Sequence, residues 1–279
     1  MNKIKRSALL MCFLLVVACG RQEDISSSTS IASPSQANGE KNDASAIATS
    51  SAFISNAISH IDRMPEDSLA DIRRKPSEAL AFFKVKPGQT IFEIEAGSGY
   101  YTELLSRTVG PDGTVIMHNH EQFNDYIGED VKARLASNRL KNVRRVISNF
   151  DTLKADDNSI DVVTWILGPH ELYFMPAPEI SLGDPELTFQ EITRILKPGG
   201  VFVTIDHSAG ANAPTSTGNA LHRIDKQHVI ALAEAAGLVL EEESRFLANT
   251  NDSLDTNIFD PAIRGKTDRF SLRFIKPIP

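Results

Sequence analysis

The chain has 279 residues, of which 41% are hydrophobic, and a formal net charge of −7. This hydrophobic fraction excludes a wholly disordered chain. The negative charge argues against a nucleic-acid partner, because non-specific binding to nucleic acid needs a positive field. Both cysteines, Cys12 and Cys19, precede residue 20. Thiol nucleophiles, thiolate metal sites and internal disulfides are therefore excluded from the rest of the chain.

The first twenty residues are typical of a secretory signal peptide. Three basic residues precede an apolar stretch from Ala8 to Ala18, which is too short to span a bilayer. Residues 16–20, Val-Val-Ala-Cys-Gly, resemble the lipobox of bacterial lipoproteins. We expect a signal peptide over residues 1–18, lipid attachment at Cys19 and an exported protein at the periplasmic face of a bacterial envelope. An ordinary signal peptide with an incidental cysteine is the alternative.

A polar segment follows the signal. It is rich in Ser, Thr, Ala, Asn and Gln and has almost no large apolar residues, so it cannot bury enough surface to offset its ordering entropy. Residues 19–51 are predicted to be a lipidated N-terminus and flexible tether, with the membrane contacted through the lipid alone. Residues 52–279 have the size of one domain.

Strand and helix patterns alternate through this domain. The predicted strands are Ile91–Ile94, Thr114–His118, Val143–Ser148, Ile160–Ile166, Val201–Ile205, Leu238–Glu243 and Phe270–Ile275. The predicted helices are Tyr101–Val109, Asp130–Leu140, Leu187–Leu196 and Lys226–Ala236. The alternation predicts an α/β fold with a doubly wound, mostly parallel seven-stranded sheet. The last two strands have no helix between them and are expected to form an antiparallel edge pair.

The turn after the first strand contains Gly97 and Gly99. In an open α/β sheet, ligands bind beyond the carboxyl ends of the strands. Glycines let a ligand approach the backbone closely, and the following helix offers its N-terminal N–H groups to an anion. The turn therefore predicts a ligand site, although a tight turn without a ligand fits the same pattern.

Residues 93–101, Glu-Ile-Glu-Ala-Gly-Ser-Gly-Tyr-Tyr, resemble motif I of class I S-adenosylmethionine-dependent methyltransferases. Residues 157–163 and 196–200 resemble that family's later landmarks, in the right order and spacing. More narrowly, the chain is similar to predicted methyltransferases with a secretion signal, at residues 74–76, 170–173, 221–225 and 264–270. The resemblance implies a Rossmann-like methyltransferase fold, S-adenosylmethionine as cofactor, and methyl transfer to an oxygen or nitrogen of a small-molecule substrate.

The same resemblance implies the residues that would bind the cofactor. They are Glu93, Glu95, Ala96, Gly97, Ser98, Gly99, Asn119 and Asn149. Three of them depart from the family pattern. Glu95 replaces the first glycine of the loop, while Asn119 and Asn149 replace acids expected to accept from the ribose hydroxyls and the adenine amine. An Asn carbonyl still accepts hydrogen bonds, but charge-assisted bonds are roughly twice as strong.

The loop after the fourth strand holds the candidate catalytic residues His170, Glu171 and Tyr173. A neutral His170 imidazole would deprotonate the acceptor as a general base, with Glu171 or Tyr173 orienting it. A loop histidine that only caps strand-end groups is the alternative.

Five further residues are candidate substrate contacts: His207, His222, Arg223, Arg264 and Lys266. Arg264, Lys266 and Arg269 form a basic turn in an acidic chain, which suits an anionic substrate. Salt bridges to neighbouring acids are the alternative.

Three other functions compete with methyl transfer. A binding module would keep the fold and hold another small ligand. A metal-assisted hydrolase would use the scattered histidines, but the sequence lacks paired helical histidines and no metal site is predicted. A nicotinamide enzyme fits less well, because Thr102 occupies the third glycine position and Asn119 the acid position.

Overall fold

The computed structural model describes residues 51–279. The predicted signal peptide, the lipid-attachment residue Cys19 and nearly all of the predicted tether lie outside these residues. Within residues 51–279, no helix combines the length and apolar character that crossing a bilayer requires.

Seven strands form one sheet. They are β1 (Thr90–Ile94), β2 (Thr114–Asn119), β3 (Val143–Ile147), β4 (Ile160–Ile166), β5 (Leu196–His207), β6 (Val239–Ser244) and β7 (Arg269–Ile275). Their order across the sheet is β3-β2-β1-β4-β5-β7-β6. The pairs among β1 to β5 are parallel, whereas β7 pairs antiparallel with both β5 and β6. The predicted fold class is confirmed, and the reversed strand β7 lies one place inside the edge.

Helices cover both faces of this sheet. They are α1 (which includes residues 51–58), α2 (Pro65–Arg74), α3 (Pro76–Phe82), α4 (Tyr100–Val109), α5 (Asn124–Leu135), α6 (Pro185–Ile195), α7 (Thr217–Leu221) and α8 (Lys226–Ala235). Alternate strand residues enter two separate cores. Phe92 and Val163 pack with α6 and α8, while Ile91 and Val162 pack with α3 and α4. This alternation is what a strand period of two residues requires.

The order of the strands reverses between β1 and β4, which are direct neighbours. Chain connections therefore leave these two strands in opposite directions, which opens a crevice beyond their carboxyl ends. The glycine turn after β1 and the loop after β4 both lie at this crevice.

The largest departures from the predicted boundaries are in α5 and β5. The helix predicted from Asp130 to Leu140 is α5 and ends at Leu135, because Ser137 and Asn138 adopt left-handed backbone angles that a helix cannot continue through. Strand β5 begins at Leu196 rather than Val201, and a shift of register opposite Ile160 and Val162 accommodates the extra residues. The helices α1 to α3 were not predicted at all.

Candidate functional site

The glycine turn folds sharply between β1 and α4. Glu95, Gly97 and Gly99 have φ angles of 47°, 57° and 88°, in the left-handed region where a side chain is strained and glycine is not. Gly99 also lacks room for a side chain, since a Cβ there would lie 3.1 Å from Arg134 Cγ. At Gly97 a Cβ would meet nothing within 4 Å, so the space beside Gly97 is open.

Two side chains hold this turn in place. The Asn119 amide is buried, and its Oδ1 accepts from Gly97 N at 2.8 Å while its Nδ2 donates to Gly97 O at 3.2 Å. Arg134 Nε donates to Ser98 O at 3.0 Å. The Asn119 side chain is therefore engaged with the backbone of the turn, and the structure does not present it to a ligand in the way expected from the sequence.

A carboxylate from the turn itself lies at the end of β2. Glu95 Oε2 accepts from His120 N at 2.8 Å, one residue beyond Asn119. Burial raises the pKa of Glu95 to about 8. Asn149, predicted to accept from the cofactor, is exposed and lies outside the cavity beside the turn. The acidic group at this end of the sheet thus comes from Glu95.

The turn opens onto a cavity of about 270 Å³, called the turn cavity here. Its walls include Glu93, Glu95, Gly97, Ser98 and the ring of Tyr100. Glu93 is buried, accepts from Thr102 Oγ1 at 2.5 Å and has its pKa raised to about 8 by burial. The cavity therefore combines two carboxyl groups with the N-terminal end of α4.

A second cavity of about 340 Å³ lies next to the first and is called the arginine cavity here. Arg74 and Leu167 line both cavities. Leu167 follows β4 with a φ of 61°, a strained conformation for a branched side chain. The Arg74 guanidinium lies 4.5 Å from the centre of the Tyr100 ring, within the range of a cation–π contact.

His170 faces the arginine cavity between two carboxylates. Its Nδ1 donates to Asp206 Oδ1 at 2.7 Å, and its backbone N donates to Asp206 Oδ2 at 2.8 Å. Its Nε2 lies 3.2 Å from Glu171 Oε1. Burial alone would lower the pKa of His170, but the Asp206 and Glu171 charges outweigh burial and raise it.

This geometry changes the role expected of His170. An imidazole with a raised pKa is protonated at neutral pH and cannot accept a proton, so the arrangement does not favour the general base predicted from the sequence. Glu171 does contact His170, as predicted. Tyr173 instead lines a different cavity with Glu186 and His228, and the structure does not bring it to His170.

The other two candidate histidines also lie near His170. His207 Nδ1 is 2.7 Å from Thr267 Oγ1, and burial, reinforced by the His170 charge, lowers the pKa of His207. His222 packs between the rings of Phe174 and Phe259, with its Nδ1 3.9 Å from Glu171 Oε1. The structure therefore gathers His170, His207 and His222 from three separate segments.

The basic candidates divide into two groups. Arg223 is fully buried and forms a two-point ion pair with Asp252 at 2.9 and 3.0 Å, so it holds the fold together and does not face a substrate. Arg264 lines the arginine cavity, whereas Lys266 is exposed and lies outside its walls. Arg73, Arg74 and Arg269 complete the basic lining.

Comparison with known proteins identifies the family. The model of the ubiE/COQ5 methyltransferase family matches residues 68–223. The chain belongs to this family. A ubiquinone/menaquinone biosynthesis C-methyltransferase of Legionella pneumophila is 32% identical over 121 residues, which are 43% of each chain. The chain thus matches less than half the length of this curated relative.

Solved structures show the same fold. A SAM-dependent methyltransferase from Aquifex aeolicus superposes with a TM-score of 0.53 at 20% identity, over 74% of this chain and 93% of its own. A phosphoethanolamine N-methyltransferase from Haemonchus contortus, solved with S-adenosyl-L-methionine, gives 0.54 at 13% identity over 74% and 52%. Family membership and fold confirm the methyltransferase resemblance seen in motif I.

The family match ends at residue 223, before the segment that carries Arg264 and Arg269. In this chain the turn cavity lies inside the matched region, while part of the arginine cavity lies beyond it. Arg74 and Leu167, which line both cavities, were not among the site residues predicted from the sequence. The Arg-Lys-Pro stretch at residues 74–76 was a signal for Arg74, but no local pattern marks Leu167.

Proposed function

We propose that this protein transfers the methyl group of S-adenosylmethionine to an oxygen or nitrogen atom of a small acceptor. The observation that carries the proposal is the pair of adjoining cavities at the strand-order reversal, with Arg74 and Leu167 common to both. The donor would occupy the turn cavity and the acceptor the arginine cavity. Family membership supports the reaction class.

The turn cavity suits a donor with positive charge. S-adenosylmethionine carries a sulfonium and an ammonium group, and the Glu93 and Glu95 carboxyls lie in the cavity wall. Burial raises the pKa of both carboxyls to about 8, and a cation bound beside them would favour their ionised form. The donor's carboxylate would meet the N-terminal end of α4, where free N–H groups and the helix dipole favour an anion. Glu95 supplies the acidic group that Asn119 lacks.

The bound donor supplies an activated methyl carbon. The acceptor's lone pair would attack this carbon in line with the leaving sulfur, the carbon–sulfur bond would break to give S-adenosylhomocysteine, and the acceptor's proton would pass to water. The protein's contribution is to hold the two reactants in contact and aligned. Methyl transfer to oxygen or nitrogen does not need a base that removes a proton from carbon. This suits a cavity in which His170 is held as an imidazolium and cannot act as a base.

The arginine cavity favours an acceptor with a carboxylate or phosphate group. Within residues 51–279, no carboxylate lies within 4.0 Å of the Arg73, Arg74, Arg264 or Arg269 guanidinium. Arg269 Nε is also buried without a hydrogen-bond partner among these residues. Guanidinium groups bind carboxylates and phosphates through paired hydrogen bonds, so an anionic acceptor would satisfy groups that the fold leaves unpaired.

The donor proposal is tested with one pair of glycine variants. Gly97 and Gly237 both have positive φ angles and nothing within 4 Å of a new Cβ, so Gly97→Ala and Gly237→Ala both introduce backbone strain without a clash. Only Gly97→Ala places a methyl group in the turn cavity. In calorimetric titrations of the full chain, we expect Gly97→Ala to weaken donor and S-adenosylhomocysteine binding at least tenfold, and Gly237→Ala to leave both unchanged. Equal affinities in the two variants would contradict the proposal.

A binding module remains the second candidate, because the Asn119 amide is engaged with Gly97 instead of facing the cavity. The same titrations separate the two functions. If the wild-type chain binds neither S-adenosylmethionine nor S-adenosylhomocysteine at millimolar concentration, methyl transfer is excluded and another ligand occupies the turn cavity.

We further propose that the protein is an exported lipoprotein anchored through Cys19, on the strength of the lipobox-like residues 16–20. The test is incorporation of a labelled fatty acid during bacterial expression. Cys19→Ser should abolish the label, and Cys12→Ser should retain it because Cys12 leaves with the signal peptide. A label that survives in Cys19→Ser would show that Cys19 is not the acylated residue.

A further inference from the structure

Three side chains converge at the edge of the arginine cavity. His170 and Glu171 lie in the short helical segment Pro169–Tyr173 after β4, and His222 follows α7. One ligand atom from each lies within 4.8 Å of the other two. We propose that His170, Glu171 and His222 form a binding site for a divalent first-row transition-metal ion.

The distances are close to those of a formed site. Zinc binds nitrogen and carboxylate oxygen at about 2.0–2.2 Å, which puts neighbouring ligand atoms of a tetrahedral site about 3.4 Å apart. His170 Nε2 lies 3.2 Å from Glu171 Oε1, and His222 Nδ1 lies 3.9 Å from the same oxygen. Small side-chain rotations would bring all three atoms onto one ion.

The orientation of His170 is fixed from behind. Asp206 accepts from His170 Nδ1 at 2.7 Å and from the His170 backbone N at 2.8 Å. Metal-binding histidines characteristically donate their other ring N–H to a carboxylate or carbonyl, which sets the tautomer and aims the free nitrogen at the metal. Asp206 does this for His170, whose Nε2 lies 3.2 Å from Glu171 Oε1. Metal binding at Nε2 would displace the proton that this nitrogen otherwise carries.

Two buried atoms at this place lack a partner. Glu171 Oε2 and His222 Nδ1 have no hydrogen bond to any residue within 51–279. The two side chains are only 15% and 12% exposed. An unsatisfied buried polar group destabilises the fold. A cation coordinated by both residues would satisfy both atoms.

The backbone geometry lets α7 and His222 approach residues 169–173 closely. A Cβ at Gly218, in α7, would lie 2.6 Å from His170 O and 2.9 Å from Tyr173 Cβ. Only glycine lets α7 pack this closely on residues 169–173. The His222 backbone then adopts a φ of 53°, which returns its side chain toward Glu171.

The ligand set indicates the class of metal. Two imidazole nitrogens and one carboxylate oxygen bind zinc in catalytic sites and iron(II) in the facial triads of oxygenases. Both kinds of site leave coordination positions open, and here the arginine cavity lies beside them. An ion at this position would contact a molecule bound in that cavity. The inference does not depend on methyl transfer, because metal binding is measured without donor or acceptor.

The test is calorimetric titration of the metal-free full chain with Zn²⁺. We expect about one ion per chain. His222→Asn removes a ligand while keeping the backbone comfortable, because Asn tolerates positive φ. The matched control is His228→Asn, which removes a partly buried histidine from another cavity. His222→Asn should weaken binding by more than about 100-fold, Asp206→Asn by about 10- to 100-fold, and His228→Asn should have no effect.

A second measurement separates a lost ligand from a lost fold. Glu171→Gln is nearly isosteric, and thermal unfolding of each metal-free variant reports whether it is folded. Bound Co²⁺ should give the visible absorption of a low-symmetry site in the wild-type chain and lose it in Glu171→Gln. No zinc bound by the wild-type chain would overturn the proposal, as would equal affinity in folded His222→Asn and His228→Asn.

Discussion

Glu93 and Glu103 are both buried acids near the glycine turn, but their surroundings have opposite effects. Glu93 meets only the Thr102 hydroxyl, and burial raises its pKa to about 8. Glu103 is buried too, but hydrogen bonds from Arg139, Arg107 and Arg134 lower its pKa to about 2. The number of guanidinium groups around each carboxyl decides whether its charge is tolerated.

The raised pKa of Glu93 predicts that the folded state loses stability as pH rises. Below about pH 4.5 the carboxyl is protonated in both states, and the fold keeps its full stability. Between about 4.5 and 8 only the unfolded state ionises, so the free energy of unfolding falls by up to about 1.4 kcal/mol per pH unit. Glu93→Gln should remove this slope and be more stable than the wild type at pH 8. Urea unfolding curves at pH 5 and pH 8 measure the difference.

Glu103→Gln is the control of opposite sign. The lowered pKa means that the Glu103 carboxylate stabilises the fold above about pH 4.5, and that this contribution is lost as pH falls toward 2. At neutral pH the variant leaves three arginines without their shared carboxylate and should lose about 3 kcal/mol. An equal response of the two variants to pH would contradict this account.

At this scale, sequence reasoning works where a residue's role is local. The turn at Gly97 and Gly99 was predicted between a strand and a helix, and the structure has it between β1 and α4. The bond from Asn119 to Gly97 was not predictable, because it depends on β2 lying beside β1. The raised pKa of His170 likewise depends on Asp206, which is 36 residues away.

Between elements, the closest packing joins α7 to the segment Pro169–Tyr173. A Gly218 Cβ would lie 2.6 Å from the His170 backbone oxygen, and a backbone atom cannot move aside as the end of a flexible side chain can. Gly128 in α5 is the contrasting case, because a Cβ there would meet only Asn124 Oδ1 at 3.9 Å. Close packing therefore requires glycine at position 218, whereas position 128 has room for a side chain.

Alanine at these two positions should therefore act in opposite directions. Gly218→Ala forces α7 away from His170 and should destabilise the fold by about 1–3 kcal/mol. Gly128→Ala removes backbone freedom from the unfolded chain without a clash and should stabilise by about 0.5–1 kcal/mol. Chemical denaturation of both variants gives the two free energies. Stabilisation by Gly218→Ala would show that α7 does not pack this closely.

The elements themselves were largely predictable, because apolar alternation and turn residues mark strands and helices directly. Strand β4 matches its prediction at both ends, and α8 begins at the predicted Lys226, with the Asp225 side chain before it accepting from Gln227 N. Helices α2 and α3 were not predicted. In α2 the large apolar residues Leu69 and Ile72 are exposed and Asp67 is buried, which is the reverse of what an amphipathic pattern predicts.

At the scale of the whole molecule, one cavity is positively charged although the chain as a whole is negatively charged. The chain has a net charge of −7, yet the arginine cavity gathers Arg73, Arg74, Arg264 and Arg269. Other arginines of the described chain, such as Arg134 and Arg273, lie within ion pairs. Like charges held close together repel one another, so this cluster of arginines opposes folding.

Phosphate should therefore stabilise this protein beyond its effect as a salt. A ligand that binds only the folded state raises the melting temperature as its concentration exceeds Kd. We expect sodium phosphate to raise Tm above the value in sodium chloride of equal ionic strength, and Arg264→Gln to reduce that difference. Arg144→Gln, which changes an exposed arginine on β3, should retain it. Equal melting temperatures in the two salts would contradict the anion-binding role.

The double hydrogen bond between Asn119 and Gly97 has a kinetic consequence. One amide holds both polar groups of the Gly97 residue, so the turn has its final shape before any molecule arrives. Hydrogen–deuterium exchange at the Gly97 amide should accordingly be slow in the ligand-free protein, and association should proceed without a loop-ordering phase.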